Sequence, residues 1–119
     1  MDFTFDNNIP IYIQLLEYLK IYLISGVFKS GDKLPSVREF ANTFKVNPNT
    51  MQKALSELES MKLIYTERTN GKYVTKDIKM IEKIKDEYAI NLAKSYFNGM
   101  KKIGLGKAES IKYLEGIDD

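Results

Sequence analysis

The chain has 119 residues, a length that accommodates one domain with or without an appendage and excludes a two-domain enzyme. Apolar residues make up 44% of it and charged residues 29%, which predicts a folded chain with a core. It contains no His and no Cys. The side chains that bind most zinc, the thiolate nucleophile and the group that titrates near neutrality are therefore missing, which argues against most hydrolytic and redox chemistry. We expect no metal site and no cofactor.

The composition and the N-terminal segment also predict where the chain resides. The lack of Cys fits a reducing cytoplasm, although it does not require one. Asp2 and Asp6 stand where a signal peptide needs basic residues, and no apolar run approaches the roughly 20 residues that span a bilayer. We expect a soluble, cytoplasmic protein with no membrane partner.

The distribution of charge is more informative than the net charge of +2. Residues 29–53 carry five basic and two acidic side chains, whereas residues 1–28 carry one basic and three acidic ones. Residues 77–119 carry eight of each sign, as expected of a solvated helix surface. The basic charge is thus concentrated in one short stretch.

Two helices are predicted before residue 45. Large apolar residues recur at helical spacing over residues 12–23, with Pro10 in the first turn of this helix and Gly26 as its stop. After a loop, Ser36 begins a second helix, and the spacing of Ser36 and Glu39 is that of a capping box. The predicted apolar face of the second helix comprises Val37, Phe40, Ala41 and Phe44.

A third helix and a hairpin are predicted next. A tight turn at Lys45 leads to Asn47 and Pro48, a pair typical of an N-cap followed by proline at the first helical position. The third helix has a polar face and an apolar face; the apolar face comprises Met51, Ala54, Leu55, Leu58 and Met61. The β-prone segments 63–68 and 72–75 flank an Asn-Gly turn signal, which predicts a β-hairpin.

The remainder is predicted to be two helices. A long helix starts at Asp77 and ends at Gly99, and a short one follows near the C-terminus. The apolar stripe of the long helix comprises Ile78, Ile81, Ile84, Tyr88, Leu92 and Tyr96, and it needs a partner. The apolar residues of the short helix are Ala108, Ile111, Tyr113 and Leu114.

Two short helices joined by a tight turn and followed by a hairpin are the layout of a winged helix-turn-helix, whose second helix enters the major groove of DNA. On the polar face of that helix, candidates for reading bases are Asn47, Asn49, Thr50, Gln52 and Lys53. Asn and Gln can bond adenine at two points, Lys can reach guanine or phosphate, and Thr can contact phosphate or a thymine methyl. Each also has a plain structural alternative, as a cap, a first-turn residue or ordinary helix surface.

Two arginines stand among sixteen lysines, and both occupy informative positions. Arg38 lies in the first turn of the second helix, and Arg68 lies just before the hairpin turn, with Lys72 just after it. A planar guanidinium suits phosphate or guanine, and Gly71 adds no bulk at the hairpin tip, so this tip can approach DNA closely. The alternative is that both arginines are ordinary solvent-exposed surface residues without a binding role.

Two motifs support this interpretation. Gly26–Ala41 contains the pattern G-x-x-x-x-G-x-x-L-P-S, and Val46–Leu55 contains N-P-N-T. Over about residues 9–74 the chain resembles the N-terminal domain of GntR-type bacterial transcription regulators, and its short tail and N-P-N-T most resemble the YtrA-like branch. The resemblance implies operator binding as a homodimer. With the residue types above, it predicts as DNA contacts Ser36, Arg38, Asn47, Asn49, Thr50, Gln52, Lys53, Arg68, Gly71 and Lys72.

The resemblance also divides the chain into a winged helix-turn-helix domain over residues 1–76 and a helical tail over residues 77–119. The tail is too short for the effector-binding domain of other branches, and the resemblance implies that it dimerises through Ile81, Ile84, Tyr88, Leu92 and Tyr96. Three positions depart from the family pattern. Pro48 and Gln52 stand where many relatives carry arginine, and Thr69 stands where the first wing glycine is expected. The exact wing contacts and the base preference are therefore left open.

Sequence alone thus predicts a sequence-specific DNA-binding transcriptional regulator, in particular a repressor, that binds a near-palindromic operator as a homodimer. The alternative is a winged-helix protein-interaction module that does not bind DNA. A weaker possibility is a sensor with an unknown small-molecule effector held between the tail helices. An enzyme is not expected. Gly26 and Gly31 have the spacing of a phosphate-binding loop, but Asp32-Lys33 follows them where such a loop requires Lys-Ser or Lys-Thr.

Overall fold

The computed structural model describes residues 4–118, and within that range the chain forms five α-helices and one two-stranded sheet. The predicted fold class, mainly α with a small β component, is confirmed. The elements are α1 (Ile11–Ser25), α2 (Val37–Phe44), α3 (Pro48–Ser60), β1 (Ile64–Glu67), β2 (Gly71–Val74), α4 (Ile78–Lys102) and α5 (Lys107–Glu115). The chain divides into two compact units, the head unit Met1–Glu82 and the tail unit Lys83–Asp119.

Helix α1 has the predicted stop but not the predicted start. It ends at Ser25, directly before Gly26. Pro10 is the N-cap rather than a first-turn residue, because its ψ of 134° is extended. The side chains of α1 that are buried are Leu15, Leu19 and Leu23.

Local hydrogen bonds define the unit formed by α2, its turn and α3. The Ser36 hydroxyl accepts from the N–H of Glu39 at 3.1 Å, and the Glu39 carboxylate accepts from the N–H of Ser36 at 3.1 Å, which confirms the capping box. Lys45 adopts the left-handed conformation with φ of 57°, and the N–H of Val46 bonds back to the carbonyl of Ala41 at 3.0 Å. This closes α2 and redirects the chain within three residues.

Helix α3 begins as predicted and buries the predicted face, except at its end. Asn47 is the N-cap, and its side chain accepts a hydrogen bond from the N–H of Asn49 at 2.7 Å, with Pro48 at the first helical position. The buried residues of α3 are Met51, Ala54, Leu55 and Leu58. Met61 is the C-cap and is exposed, because Lys62 turns left-handed directly after it.

The core of the head unit lies between α1, α2, α3 and the hairpin. Four aromatic rings pack together on one side of this core. The centre of the Phe40 ring lies 5.7 Å from that of Phe28 and 6.1 Å from that of Phe44. The centre of the Tyr22 ring lies 5.9 Å from those of both Phe28 and Phe44. Outside the helices, the buried apolar residues are Leu34, Leu63, Ile64 and Val74. Burial of these side chains fixes the orientation of α3 relative to α1 and α2.

The predicted hairpin is confirmed, but its turn is not a two-residue turn centred on Asn-Gly. Strands β1 and β2 are antiparallel, and Glu67 pairs with Gly71, so residues 68–70 form a three-residue loop. Asn70 donates its N–H to the carbonyl of Glu67 at 3.2 Å, and Gly71 has φ of 104°, a conformation that favours glycine. The Asn-Gly signal therefore marks the end of the loop rather than its centre.

The loop between α1 and α2 pairs with the outer edge of β2. The N–H of Leu34 bonds to the carbonyl of Lys72 at 2.8 Å, and the N–H of Val74 bonds to the carbonyl of Asp32 at 2.9 Å. These bonds place the start of α2 beside the hairpin, which is called the wing below.

Helix α4 does not end where the sequence predicts. It continues through Gly99 to Lys102, and the left-handed residue is Gly104, with φ of 87°. Leu105 donates its N–H to the carbonyl of Met100 at 2.9 Å and Gly104 to that of Lys101 at 3.0 Å, the pattern of a Schellman cap. A glycine inside a helix costs only about 1 kcal/mol, and this cap ends the helix one turn later.

The tail unit has little buried surface of its own. The Tyr96 hydroxyl donates to the carbonyl of Ser110 at 2.7 Å, which ties α4 to α5. The Ser110 hydroxyl donates to the carbonyl of Gly106, the N-cap of α5, at 2.7 Å. Ser110 is the buried residue of these two helices in the described chain. Large apolar side chains exposed in the tail unit are Ile90, Leu92, Ile103, Ile111, Tyr113, Leu114 and Ile117. Among residues 4–118, no helix combines the length and apolar character needed to cross a bilayer.

Candidate nucleic-acid interface

Helix α3 separates its side chains into two faces. Asn49, Gln52 and Lys53 are exposed, and Thr50 is half-buried, whereas the opposite face is inserted into the core. Gln52 donates its amide N–H to the Ser56 hydroxyl at 3.2 Å, one turn further along the same face. The outer face is therefore a rigidly held row of hydrogen-bonding groups, the arrangement that base-edge recognition requires.

Two of the predicted contact residues are occupied as helix caps. The carboxamide oxygen of Asn47 caps α3, so the structural alternative considered for this residue is part of its role. The Ser36 hydroxyl caps α2. The backbone N–H of Ser36, with a contribution from its side chain, lowers the pKa of Glu39 below its ordinary value by hydrogen bonding to the carboxylate. Glu39 thus stays ionised at the N-terminus of α2, where a negative charge is favourable.

The Lys53 ammonium group contacts a residue that the sequence does not predict to lie near it. Its ammonium group lies 3.8 Å from the centre of the Tyr12 ring, a cation–π contact between α3 and the start of α1. Asn49, Thr50 and Lys53 line a shallow depression with Ile11 and Tyr12. The helical spacing of Tyr12 predicts only a core position, and a contact between residues so distant in sequence gives no local signal.

Arg38 and Arg68 are the two arginines, and both are exposed. Arg38 is the second residue of α2, and Arg68 is the first residue of the wing loop. Neither forms an ion pair with any of the residues that the structure describes. Their guanidinium groups are available to an external anion such as phosphate.

A second cluster of predicted residues lies between the start of α2 and the wing. Ser36, Gly71 and Lys72 line a cleft of about 370 Å³, together with Lys33 and Asn70. A side chain at Gly71 would meet the Lys33 side chain at 3.6 Å, so a lysine that the sequence analysis did not select stands at the wing. Six of the ten predicted residues thus line two places: Ser36, Gly71 and Lys72 at this cleft, and Asn49, Thr50 and Lys53 at the depression beside Tyr12. The other four, Arg38, Asn47, Gln52 and Arg68, line neither.

Lys72 differs from the other predicted contacts because its ammonium group has partners within the chain. It donates to the Thr66 hydroxyl at 3.0 Å and lies 3.8 Å from the Glu59 carboxylate. Neither Thr66 nor Glu59 was predicted to belong to the site.

On helix α4, the predicted dimerisation residues Ile81, Ile84, Tyr88, Leu92 and Tyr96 are called the α4 stripe; Ile81 belongs to the head unit and the other four to the tail unit. Leu92 is 69% exposed and the other four are half-buried. Tyr96 also bonds to Ser110 of α5, as described above.

The helix-turn-helix of α2 and α3, the wing and the exposed polar face of α3 define a winged helix-turn-helix protein. The family described as "Bacterial regulatory proteins, gntR family" matches residues 11–74, which span all of these elements. The chain belongs to the gntR family of bacterial regulatory proteins.

Similar proteins are transcriptional regulators. The HTH-type transcriptional regulator YhcF of Bacillus subtilis is 37% identical over 117 residues, which cover 98% of this chain and 94% of that protein. The HTH-type transcriptional repressor YtrA of the same organism is 44% identical over 73 residues, covering 61% and 56% of the two chains. A solved structure of a GntR family transcriptional regulator from Listeria monocytogenes superposes with a TM-score of 0.86 at 38% identity, over 96% of this chain and all of that one.

A further likeness is to a protein solved with DNA. AraR(DBD) in complex with operator ORE1 is 25% identical with a TM-score of 0.54, over 63% of this chain and 94% of that one. The family and these relatives are regulatory proteins rather than enzymes.

Proposed function

We propose that this protein is a transcriptional repressor that binds a near-palindromic operator as a homodimer. The observation that carries the proposal is the division of α3: a face locked into the core and an opposite face that presents Asn49, Gln52 and Lys53 to solvent. A helix held in this way can enter the major groove without rearrangement. The operator complex of AraR(DBD) supports the same use of this fold.

The predicted contacts fall into two roles. Asn49, Gln52 and Lys53, with Asn47 and Thr50 at the start of α3, face the bases, and two exposed amides favour adenine. Phosphates are held by Arg38, by Arg68, by the hydroxyl proton of Ser36, and by the backbone at Gly71, where no side chain intervenes. Lys72 belongs to the predicted set, but it has internal partners and is treated separately below.

Dimerisation is assigned to the α4 stripe and the exposed apolar side chains of the tail unit. Two copies related by a twofold axis place two α3 helices on one side of the duplex, with half-sites about 10 bp apart or a multiple of that distance. Deleting residues 77–119 tests this assignment by sedimentation, since a truncated chain that still dimerises tightly would contradict it.

The repressor role is supported by the names of relatives, YtrA and NagR, both described as HTH-type transcriptional repressors. The chain spans about half the length of each of these two relatives. Such a repressor would act in the cytoplasm. A small-molecule effector stays a prediction of the sequence.

Selection of bound sequences from random duplex DNA tests the proposal in one experiment. We expect enrichment of a near-palindrome with A·T pairs under α3 and strong weakening of binding as salt rises, because phosphate contacts release counterions. Retention of no duplex DNA, or binding indifferent to salt, would refute it. Absence of retention on duplex DNA, together with salt-insensitive association with another protein, would instead support the protein-interaction alternative.

A further inference from the structure

Three side chains join the wing to the last turn of α3. Lys72 Nζ donates to Thr66 Oγ1 at 3.0 Å and lies 3.8 Å from Glu59 Oε1, and the Thr66 hydroxyl donates to the same carboxylate oxygen. Thr66 and Lys72 face each other across β1 and β2, and Glu59 lies on α3. We call Glu59, Thr66 and Lys72 the wing tether.

Most of the Lys72 side chain is withdrawn from solvent in the wing tether. It is 18% exposed, compared with 41% for the side chain of Glu59. Arg68, at the loop of the same hairpin, is exposed and forms no ion pair within residues 4–118. A phosphate would compete with Thr66 and Glu59 for the Lys72 ammonium, whereas Arg68 can bind phosphate without such competition.

The position of Glu59 also favours a structural role for the wing tether. Glu59 lies in the last turn of α3, and a carboxylate on a helix that is proposed to enter the groove weakens the attraction of that helix to DNA. In the wing tether it orients a lysine and a threonine of the wing, and partly exposed ion pairs of this kind add little to global stability.

We propose that Lys72 is a positioning residue that sets the angle of the wing against α3, and that Arg68 rather than Lys72 contacts the phosphate at the wing. The inference rests on the proposed operator binding. It assigns the same positioning role to Glu59 and Thr66.

Salt dependence separates positioning from phosphate contact. Lys72→Met keeps the aliphatic stem and removes the charge, and we expect about fivefold weaker operator binding with an unchanged slope of log affinity against log salt. Lys72→Arg should restore most of the affinity, and Lys76→Met is a matched control at an exposed lysine outside the wing. If Lys72 instead bound a phosphate directly, its removal would reduce the magnitude of the slope by about 0.9, and that result would overturn the proposal.

The sign of the effect at Glu59 gives a second test. Glu59→Gln removes a negative charge from a DNA-facing helix, so electrostatics alone would strengthen binding. The wing tether predicts weaker binding, by about the same factor as Lys72→Met, and no further loss in the double variant, because both changes break one cluster. Binding that is stronger or unchanged in Glu59→Gln would overturn the proposal.

A measurement without DNA keeps this inference distinct from the proposed function. Hydrogen exchange of the full chain should be faster at the amides of residues 64–74 in Lys72→Met, with the amides of α2 unchanged. If the wild-type protein binds no operator, the proposed function fails while this experiment still decides the wing tether. Wing amides that exchange at the wild-type rate in the variant would overturn it.

Discussion

The head unit and the tail unit use apolar residues in opposite ways. In the head unit, Leu55 of α3 is completely buried, and its helix is closed at the N-terminus by the side chain of Asn47. In the tail unit, Leu92 of α4 is 69% exposed, and α4 buries none of its residues. The head unit therefore has a core of its own, whereas the tail unit leaves apolar surface in water.

This difference connects structure to function. A DNA-reading helix must be held rigidly before it meets the duplex, because the hydrogen bonds to base edges depend on its position. A dimerisation helix must instead keep its apolar surface until a second chain covers it. The predictions below test these two assignments, from the largest expected effect to the smallest.

The first prediction concerns the core of the head unit. Leu55→Ala should lower the free energy of unfolding by about 2–5 kcal/mol, because it leaves a cavity among side chains that cannot fully close around it. Leu92→Ala is the matched control in the tail unit, and at low protein concentration it should change the same quantity by at most about 0.5 kcal/mol. Urea unfolding of both variants measures the contrast, and equal losses would contradict it.

The second prediction concerns the α4 stripe. Leu92→Asp should raise the dissociation constant of the dimer by about tenfold or more, since association would bury an unpaired carboxylate. Sedimentation across a concentration series measures this change. Lys94→Asp provides a control on the opposite face of the same helix, and a dimer that tolerates Leu92→Asp as well as Lys94→Asp would remove the stripe from the interface.

The third prediction separates the two roles of the head unit in DNA binding. Arg38→Ala should weaken binding at every sequence and reduce the salt slope by about 0.9 for each phosphate that Arg38 binds. Gln52→Ala should leave that slope unchanged and relax the choice of one base pair, which is worth about 1–3 kcal/mol of discrimination. Affinities for a panel of operators at several salt concentrations distinguish the variants. A reduced slope in Gln52→Ala would place this residue on the backbone instead.

Sequence reasoning succeeded where structure is local. The caps at Ser36 and Asn47 and the burial of the α3 face follow from residues within one or two turns, so the helix-turn-helix could be predicted. The end of α4 was wrong, because a Schellman cap at Gly104 overrides the weak helix-breaking tendency of Gly99. The partners of Lys53 and Lys72 could not be predicted, because Tyr12 and Glu59 meet them only after distant elements pack.

The last and smallest prediction compares the capping box of α2 with the start of α5, where only the Glu109 side chain caps. Ionised Glu39 accepts hydrogen bonds from Ser36, which lower its pKa in the folded protein. A carboxyl group with a lowered pKa adds stability at pH values above its unfolded pKa and loses that contribution as the pH falls through the folded pKa. Wild type should therefore be more stable than Glu39→Gln at neutral pH, and the difference should shrink under acidic conditions.

Thermal unfolding from neutral to acidic pH measures this difference. Glu109→Gln is the counterpart in the tail unit, where the carboxylate accepts from the N–H of Gly106 at 3.0 Å and the cap residue has no hydroxyl. At neutral pH, we expect Glu39→Gln to lower the melting temperature relative to wild type by more than Glu109→Gln does. Equal decreases would show that the Ser36 hydroxyl adds nothing, and the better capping of the head unit would then rest on Asn47 alone.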